Sequence, residues 1–331
     1  MIKKAKVIIG SLVLIFIIGS TATFLHFKNK FLSAPTNMLS LTTTGEPFDF
    51  IWVQQDINVT IEPHAAIMVP VTIPGVDQVF HMQFDTGAHS TVLYYNAVKS
   101  INEKYGLVFS TKQDDDTYWV ENITLNVGTV NLTATSMSYR GMGAAINWDN
   151  LPPIIKIGTI GSDFMEKHVL SIDYANQQIT LSESSPVPAN AGLTFAPFTF
   201  DGRKVFLSGT FNDEKVSMWF DTGSSTFEMI VDEGTFNQLA TAGASTETLT
   251  LNSWGTKVTA YNQAAEGMFN FAGTDVPLSF VSYIDWPNKL QAWTMKASSL
   301  SGDLGGMTGN RLFLDKKLIL DTPNLRYALV P

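Results

Sequence analysis

Two copies of one short stretch carry the side chains that could do chemistry. Residues 84–87 read Phe-Asp-Thr-Gly, and residues 220–223 read Phe-Asp-Thr-Gly again. Each is followed by a small residue and hydroxyls: Ala88-His89-Ser90-Thr91 in the first, Ser224-Ser225-Thr226 in the second. A carboxylate at a loop tip, held by a rigid strand, suits catalysis. Two of them would supply an acid and a base if the fold brought Asp85 and Asp221 together. Two such tripeptides arise by chance in only a few chains per thousand, by a rough composition estimate.

The elements that must position them are strands. Phe80, Met82 and Phe84 alternate in front of Asp85, as do Val216, Met218 and Phe220 in front of Asp221. The rest of the chain repeats in the same order. Residues 65–73 read as a strand, and Pro74-Gly75-Val76-Asp77 as a turn into the strand that ends at Asp85. A short helix over 92–105 and a hairpin over 108–120 with a polar tip at residues 112–116 follow. The half closes on Thr159-Ile160-Gly161, Val169–Tyr174 and Ile179–Leu181. The second half runs through a strand at 205–211, a helix within 227–241 and a hairpin over 249–261. It ends on Met307-Thr308-Gly309 and Lys317–Asp321. The two Asp-Thr-Gly copies lie 136 residues apart, so the repeat is a duplicated β lobe and not a solenoid. Ser184–Gly192 is the natural joint.

Composition agrees with a β protein. The 331 residues suggest two domains. Charged residues are only 15%, whereas Thr, Ser, Asn and Phe are plentiful, which favours strand over helix. There is no cysteine, so disulfides and thiolate metal sites are excluded. The formal charge is −9, and Lys3, Lys4, Lys6, Lys28 and Lys30 stand in front of an even more acidic body. Such a body argues against nucleic acid as a partner. The five histidines show no metal spacing, so no metal or other cofactor is expected.

Residues 7–27 are a largely apolar run behind basic residues, which reads as a membrane-targeting segment. A signal peptide cut near Ser20-Thr21-Ala22 is one reading; an uncleaved anchor over about 20 residues is the other, and the one preferred. Either way the body is expected outside the cytoplasm: facing a bacterial periplasm if anchored, secreted if residues 1–22 are removed. The expected organisation is an anchor or signal segment over 1–28, a polar stem over 29–50, one lobe over 51–185 and a second over 186–331.

With these residues in view, the chain resembles an aspartic protease of the pepsin/retropepsin type, cysteine-free and bacterial in character. Asp85-Thr86-Gly87 and Asp221-Thr222-Gly223 carry the resemblance. The glycine elements at Gly161 and Gly309, and the strands closing on Ile172-Asp173 and Leu320-Asp321, support it. It covers about residues 60–331 and implies an all-β, bilobal pepsin-like fold: two homologous barrel-like lobes with few short helices. It also implies an endopeptidase acting on peptide or protein substrates, in which Asp85 and Asp221 activate a water between them. Thr86 and Thr222 would lock the two loops together, Gly87 and Gly223 would admit close backbone, and Ala88 and Ser224 would flank the dyad. One chain would complete the site, so a monomer is expected. Tyr118, Trp119 and Trp254, placed at similar distances after the two aspartates, are the candidate cleft walls. The competing function is a catalytically silent, membrane-tethered peptide-binding module of the same fold.

Overall fold

The computed structural model describes residues 34–57, 60–114, 117–183, 192–253, 256–286 and 304–331. The expected membrane segment, the joint at 184–191 and Trp254 lie outside the described residues. No helix among the described residues is long and apolar enough to cross a membrane.

The protein is mostly β, with few short helices. Among the described residues, strands form two sheets, of nine and thirteen members. The expected helices settle as Tyr95–Tyr105 and Glu233–Leu239. Asp232 caps the second, accepting from the backbone N–H groups of Gly234 and Thr235, as an acidic N-cap should.

One three-strand arrangement occurs in both halves and sets the site. Val79–Phe84 lies parallel to Lys156–Ile160, which pairs antiparallel with Val92–Tyr94 on its other edge. Glu214–Phe220 likewise lies parallel to Leu304–Thr308, which pairs antiparallel with Ile230–Val231. Parallel strands flanked on both edges read as buried apolar runs. Phe80, Met82, Phe84, Val216, Met218 and Phe220 are all buried, and the aspartate that follows each run is pinned by its own backbone. Asp85 N–H donates to Ile160 O at 3.0 Å, and Asp221 N–H to Thr308 O at 2.9 Å.

The folded body starts earlier than the stem expectation placed it. Leu39–Thr42 is a strand paired with Val130–Arg140, and Thr43 Oγ1 donates to Leu181 O. Asn37 Nδ2 donates to Asp163 O and to Glu166. Phe48–Asp49 pairs with Gln178–Ser182, so residues 37–50 are body and not linker. Val169–Asp173, assigned by sequence to the first lobe, pairs with Lys317–Asp321 near the C-terminus. The thirteen-stranded sheet therefore draws on both halves of the chain. A long hairpin, Ile51–Ile57 with Thr60–Thr72, reaches towards the C-terminal half, where Glu62 forms an ion pair with Arg311.

Candidate active site

Each Asp-Thr-Gly stretch is a tight loop that folds its backbone amides onto its own carboxylate. Asp85 Oδ1 accepts from Gly87 N–H at 2.9 Å and Ala88 N–H at 3.2 Å. Asp221 Oδ1 accepts from Gly223 N–H at 2.8 Å. The two loops are then tied to each other through their threonines. Thr222 Oγ1 accepts from Thr86 N–H and donates to Phe84 O, both at 2.9 Å. Thr86 Oγ1 accepts from Thr222 N–H at 3.0 Å and donates to Phe220 O at 3.1 Å. Both hydroxyls are buried, and each uses its donor and one acceptor on the opposite loop.

This lattice brings Asp85 and Asp221 face to face. Gly87 stands against the Asp221 carboxylate and Gly223 against the Asp85 carboxylate, so the two acid groups meet across the junction of the loops. Only glycine fits between them. A Cβ at Gly87 would strike the Asp221 carboxylate, and one at Gly223 would stand 2.6 Å from Asp85 Oδ1. Each loop also has a prop behind it. Ser162 Oγ donates to Thr86 O, and Ser162 N–H to Ala88 O. Asn310 Nδ2 donates to Thr222 O in the other half. Asp163, which is buried, accepts both the N–H and the hydroxyl of Thr91. Sequence reasoning stopped at Gly161 and Gly309 and missed Ser162, Asp163 and Asn310. The signal was there: polar residues directly after the two late glycines, between apolar runs.

The two carboxyls are alike in burial and unlike in charge. Burial pushes Asp85 well above the usual carboxylate range, and the charge of Asp221 beside it pushes further. Burial raises Asp221 too, but against four donors. These are Gly223 N–H, Ser224 Oγ at 3.0 Å, the Asp85 carboxyl and Gly87 N–H. The geometric difference between the two is the Ser224 hydroxyl, which favours the charged form of Asp221 and so leaves the proton on Asp85. Ala88 offers Asp85 no counterpart to the Ser224 hydroxyl.

A raised folded-state pKa has a stability consequence that does not depend on any activity. The contribution of Asp85 to stability is fully present below its unfolded pKa and is lost as pH rises through its folded value. Asp85→Asn lacks that loss while keeping an acceptor for Gly87 N–H and Ala88 N–H. Thermal melts should therefore match at pH 4, and the variant should melt higher than the native chain at pH 8. A variant that melts lower than the native chain at both pH values would contradict this.

The dyad opens into a cavity of about 630 Å³, within the usual range for small-ligand and peptide sites. Its walls differ. Phe227, Leu251, Val258, Ile284 and Trp286 make an apolar side from the C-terminal half. Gln83, Tyr94, Lys156 and Thr159 make a polar side from the N-terminal half. The long hairpin contributes Val53, Gln55, Ala65, Ala66 and Met68.

Tyr118 and Trp119 do not line this cavity, which corrects the expected wall. Both sit in the Thr117–Val127 strand, where Tyr118 pairs with Tyr139 and Trp119 with Ser138. The helix behind that hairpin takes the Tyr118 ring into a cluster with Tyr95 and Tyr139, with centroids 5.3–6.0 Å apart. Trp119 lines a separate cavity with His89, Ser90, Pro35 and Met38. The hairpin that precedes Asp85 stands at the cleft in place of the one that follows it.

No group of three or more metal-ligating side chains exists among the described residues. No family model matches the chain, and no curated protein does.

Proposed function

We propose that the chain is an aspartic endopeptidase with a bilobal, pepsin-like fold, built by duplication and active as a single chain. The observation that carries this reading is the threonine lattice that holds the buried Asp85 and Asp221 carboxyls each against the other's loop, at the floor of a peptide-sized cavity. Two carboxyls that share one proton can act at once as acid and base; the aspartic protease dyad is the standard instance of such coupling. Ionised Asp221 takes a proton from a water lying between the two side chains. That water attacks the peptide carbonyl carbon, and Asp85 donates its proton to the carbonyl oxygen. The tetrahedral intermediate collapses as Asp221 gives its proton to the leaving amine and ionised Asp85 takes one back from a hydroxyl of the diol, so the dyad again holds one proton and no covalent enzyme intermediate forms. The threonine lattice holds the acid and base in register, so little reorganisation accompanies the proton transfers.

The same reading places residues 7–27 in or across a membrane with the body on the exported side, and takes peptide or protein as substrate. Pepstatin-sensitive cleavage of an unfolded protein between pH 4 and 7, with product masses that define the cut bonds, is the test. Binding of the same peptides without any product would favour the silent peptide-binding module.

The proton assignment makes a further prediction. The pair works while it holds one proton, so the alkaline limb of the pH–rate profile reports Asp85. Ala88→Ser should place a hydroxyl on Asp85 as Ser224 does on Asp221. A hydrogen bond to the charged form favours that form, so the Asp85 pKa falls and the alkaline limb moves to lower pH by about 0.5–1 unit. An unmoved limb would refute the assignment of Asp85 as the protonated member.

A further inference from the structure

The repeat that makes the two halves alike also shows where they differ. In register, Thr159 pairs with Gln83 beside Asp85, and Met307 pairs with Trp219 beside Asp221. The corresponding positions are thus polar in one half and apolar in the other. Met307 and Trp219 pack into the apolar cluster of Phe227, Val258 and Ile284 that forms one wall of the cavity. On the opposite wall Lys156 joins Gln83 and Thr159. Among the described residues that line the dyad cavity it is the only cation.

The surroundings of Lys156 are unusual for a structural lysine. Its Nζ donates to Gln83 Oε1 at 2.6 Å and lies 5.4 Å from the centre of the Tyr94 ring. Tyr94 is itself held in place by a hydrogen bond between its hydroxyl and Thr159 at 2.8 Å. Among the described residues, Lys156 forms no ion pair with any carboxylate. An amide oxygen and a ring face orient the ammonium without neutralising it, and leave one N–H to donate. A peptide lying in the cavity would strip water from that charge. A neutral side chain opposite it would leave the ammonium poorly solvated, whereas a carboxylate would supply a charge-assisted hydrogen bond.

We propose that Lys156, oriented by Gln83 and Tyr94, makes this cleft selective for peptides that carry an acidic side chain on one side of the scissile bond, against the apolar wall on the other. This inference rests on the hydrolase reading for its scissile bond, but the selectivity itself is a property of binding. It reverses the expectation from overall charge, because a chain of net charge −9 repels acidic peptides at long range.

The test uses the full chain and four peptides that differ at one position, Glu, Gln, Leu or Lys, placed immediately before or immediately after a bond to Leu or Phe. Binding to the Asp85→Asn variant is read by fluorescence anisotropy, and cleavage by the native chain by product masses, both near pH 6 where a peptide Glu is ionised. The Glu peptide should bind about tenfold more tightly than the Gln peptide, the scale of one hydrogen bond to a charged group, and be cut faster at the bond beside Glu. The advantage should shrink with added salt, vanish in Lys156→Met, and invert in favour of the Lys peptide in Lys156→Glu. Equal binding of the Glu and Gln peptides overturns the proposal, whether or not either is cleaved. A Glu preference that survives Lys156→Met overturns the assignment to this residue. Retained Glu selectivity with no cleavage of any peptide upholds the proposal for binding and sinks the hydrolase reading alone.

Discussion

Asp221→Asn and Asp85→Asn should each lower kcat for peptide hydrolysis by about 10³- to 10⁴-fold, the range set by losing a positioned acid or base. Asparagine is nearly isosteric and keeps an oxygen for the loop amides, including the Gly223 N–H that lies 2.8 Å from Asp221 Oδ1. It neither accepts the proton of a water nor passes one on, so the chemical step fails while the loop keeps its shape. The pair functions as one unit, so the double variant should be scarcely worse than either single one; independent contributions would multiply. Steady-state rates on one peptide, with circular dichroism as the check on folding, measure this. Retention of more than a tenth of native activity by a folded single variant would rule out the shared-proton mechanism. The Asp85→Asn chain is also the one expected to melt higher at pH 8, so loss of activity with a gain in stability would be the mark of strain held at a working site.

What the sequence made legible followed from local pattern. Phe80, Met82 and Phe84 alternate cleanly and end on a turn, so the strand and its loop could be placed without knowing their partners. The polar tip of the hairpin after Val108 is an equally local signal. Elements whose partner lies far along the chain were harder to read. Leu39–Thr42 alternates over only four residues, and its partner strand begins beyond residue 129, so a Thr- and Ser-rich stretch looked like linker. The residues that follow Gly161 and Gly309 act by hydrogen-bonding the backs of the catalytic loops. Their polarity between apolar runs marks them as unusual, but the loops they support lie far along the chain, so the task itself could not be read. In the first half the cleft wall was misplaced because equal spacing after the two aspartates was taken as equal position, whereas Leu251 and Val258 of the second hairpin do line the cavity. An eleven-residue helix, Tyr95–Tyr105, follows the first loop and draws Tyr118 aside, and the hairpin before Asp85 lines the cavity instead. Lys156 was invisible as a site residue for a related reason. Its meaning lies in the contrast with the other half, which appears only once Thr159 and Met307 are seen at matching register.

Thr222→Val, a conservative change outside the two carboxyls, should damage both stability and rate. Valine matches threonine in shape but removes the hydroxyl that accepts from Thr86 N–H and donates to Phe84 O. Both partners sit at the buried junction between the loops, where Thr86 is 1% exposed and Thr222 fully buried, so water cannot replace what is lost. Two stranded backbone groups cost about 1–3 kcal/mol each. A total of roughly 2–6 kcal/mol should lower the melting temperature by about 5–20 °C. Stability is the smaller part of the effect. The reciprocal bonds from Thr86 Oγ1 to Phe220 O and from Thr222 N–H to Thr86 Oγ1 remain, so the loops stay attached on one side and pivot. A pivot of a few tenths of an ångström changes the separation of the two carboxyls directly, because each is fixed to its loop by its own backbone amides. On that account kcat should fall about 10²-fold with KM nearly unchanged, the signature of lost alignment and not of lost binding. Thr222→Ser restores the hydroxyl and should recover most of both the rate and the melting temperature. If Thr222→Ser is as impaired as Thr222→Val, the buried methyl matters and the hydroxyl lattice does not align the dyad.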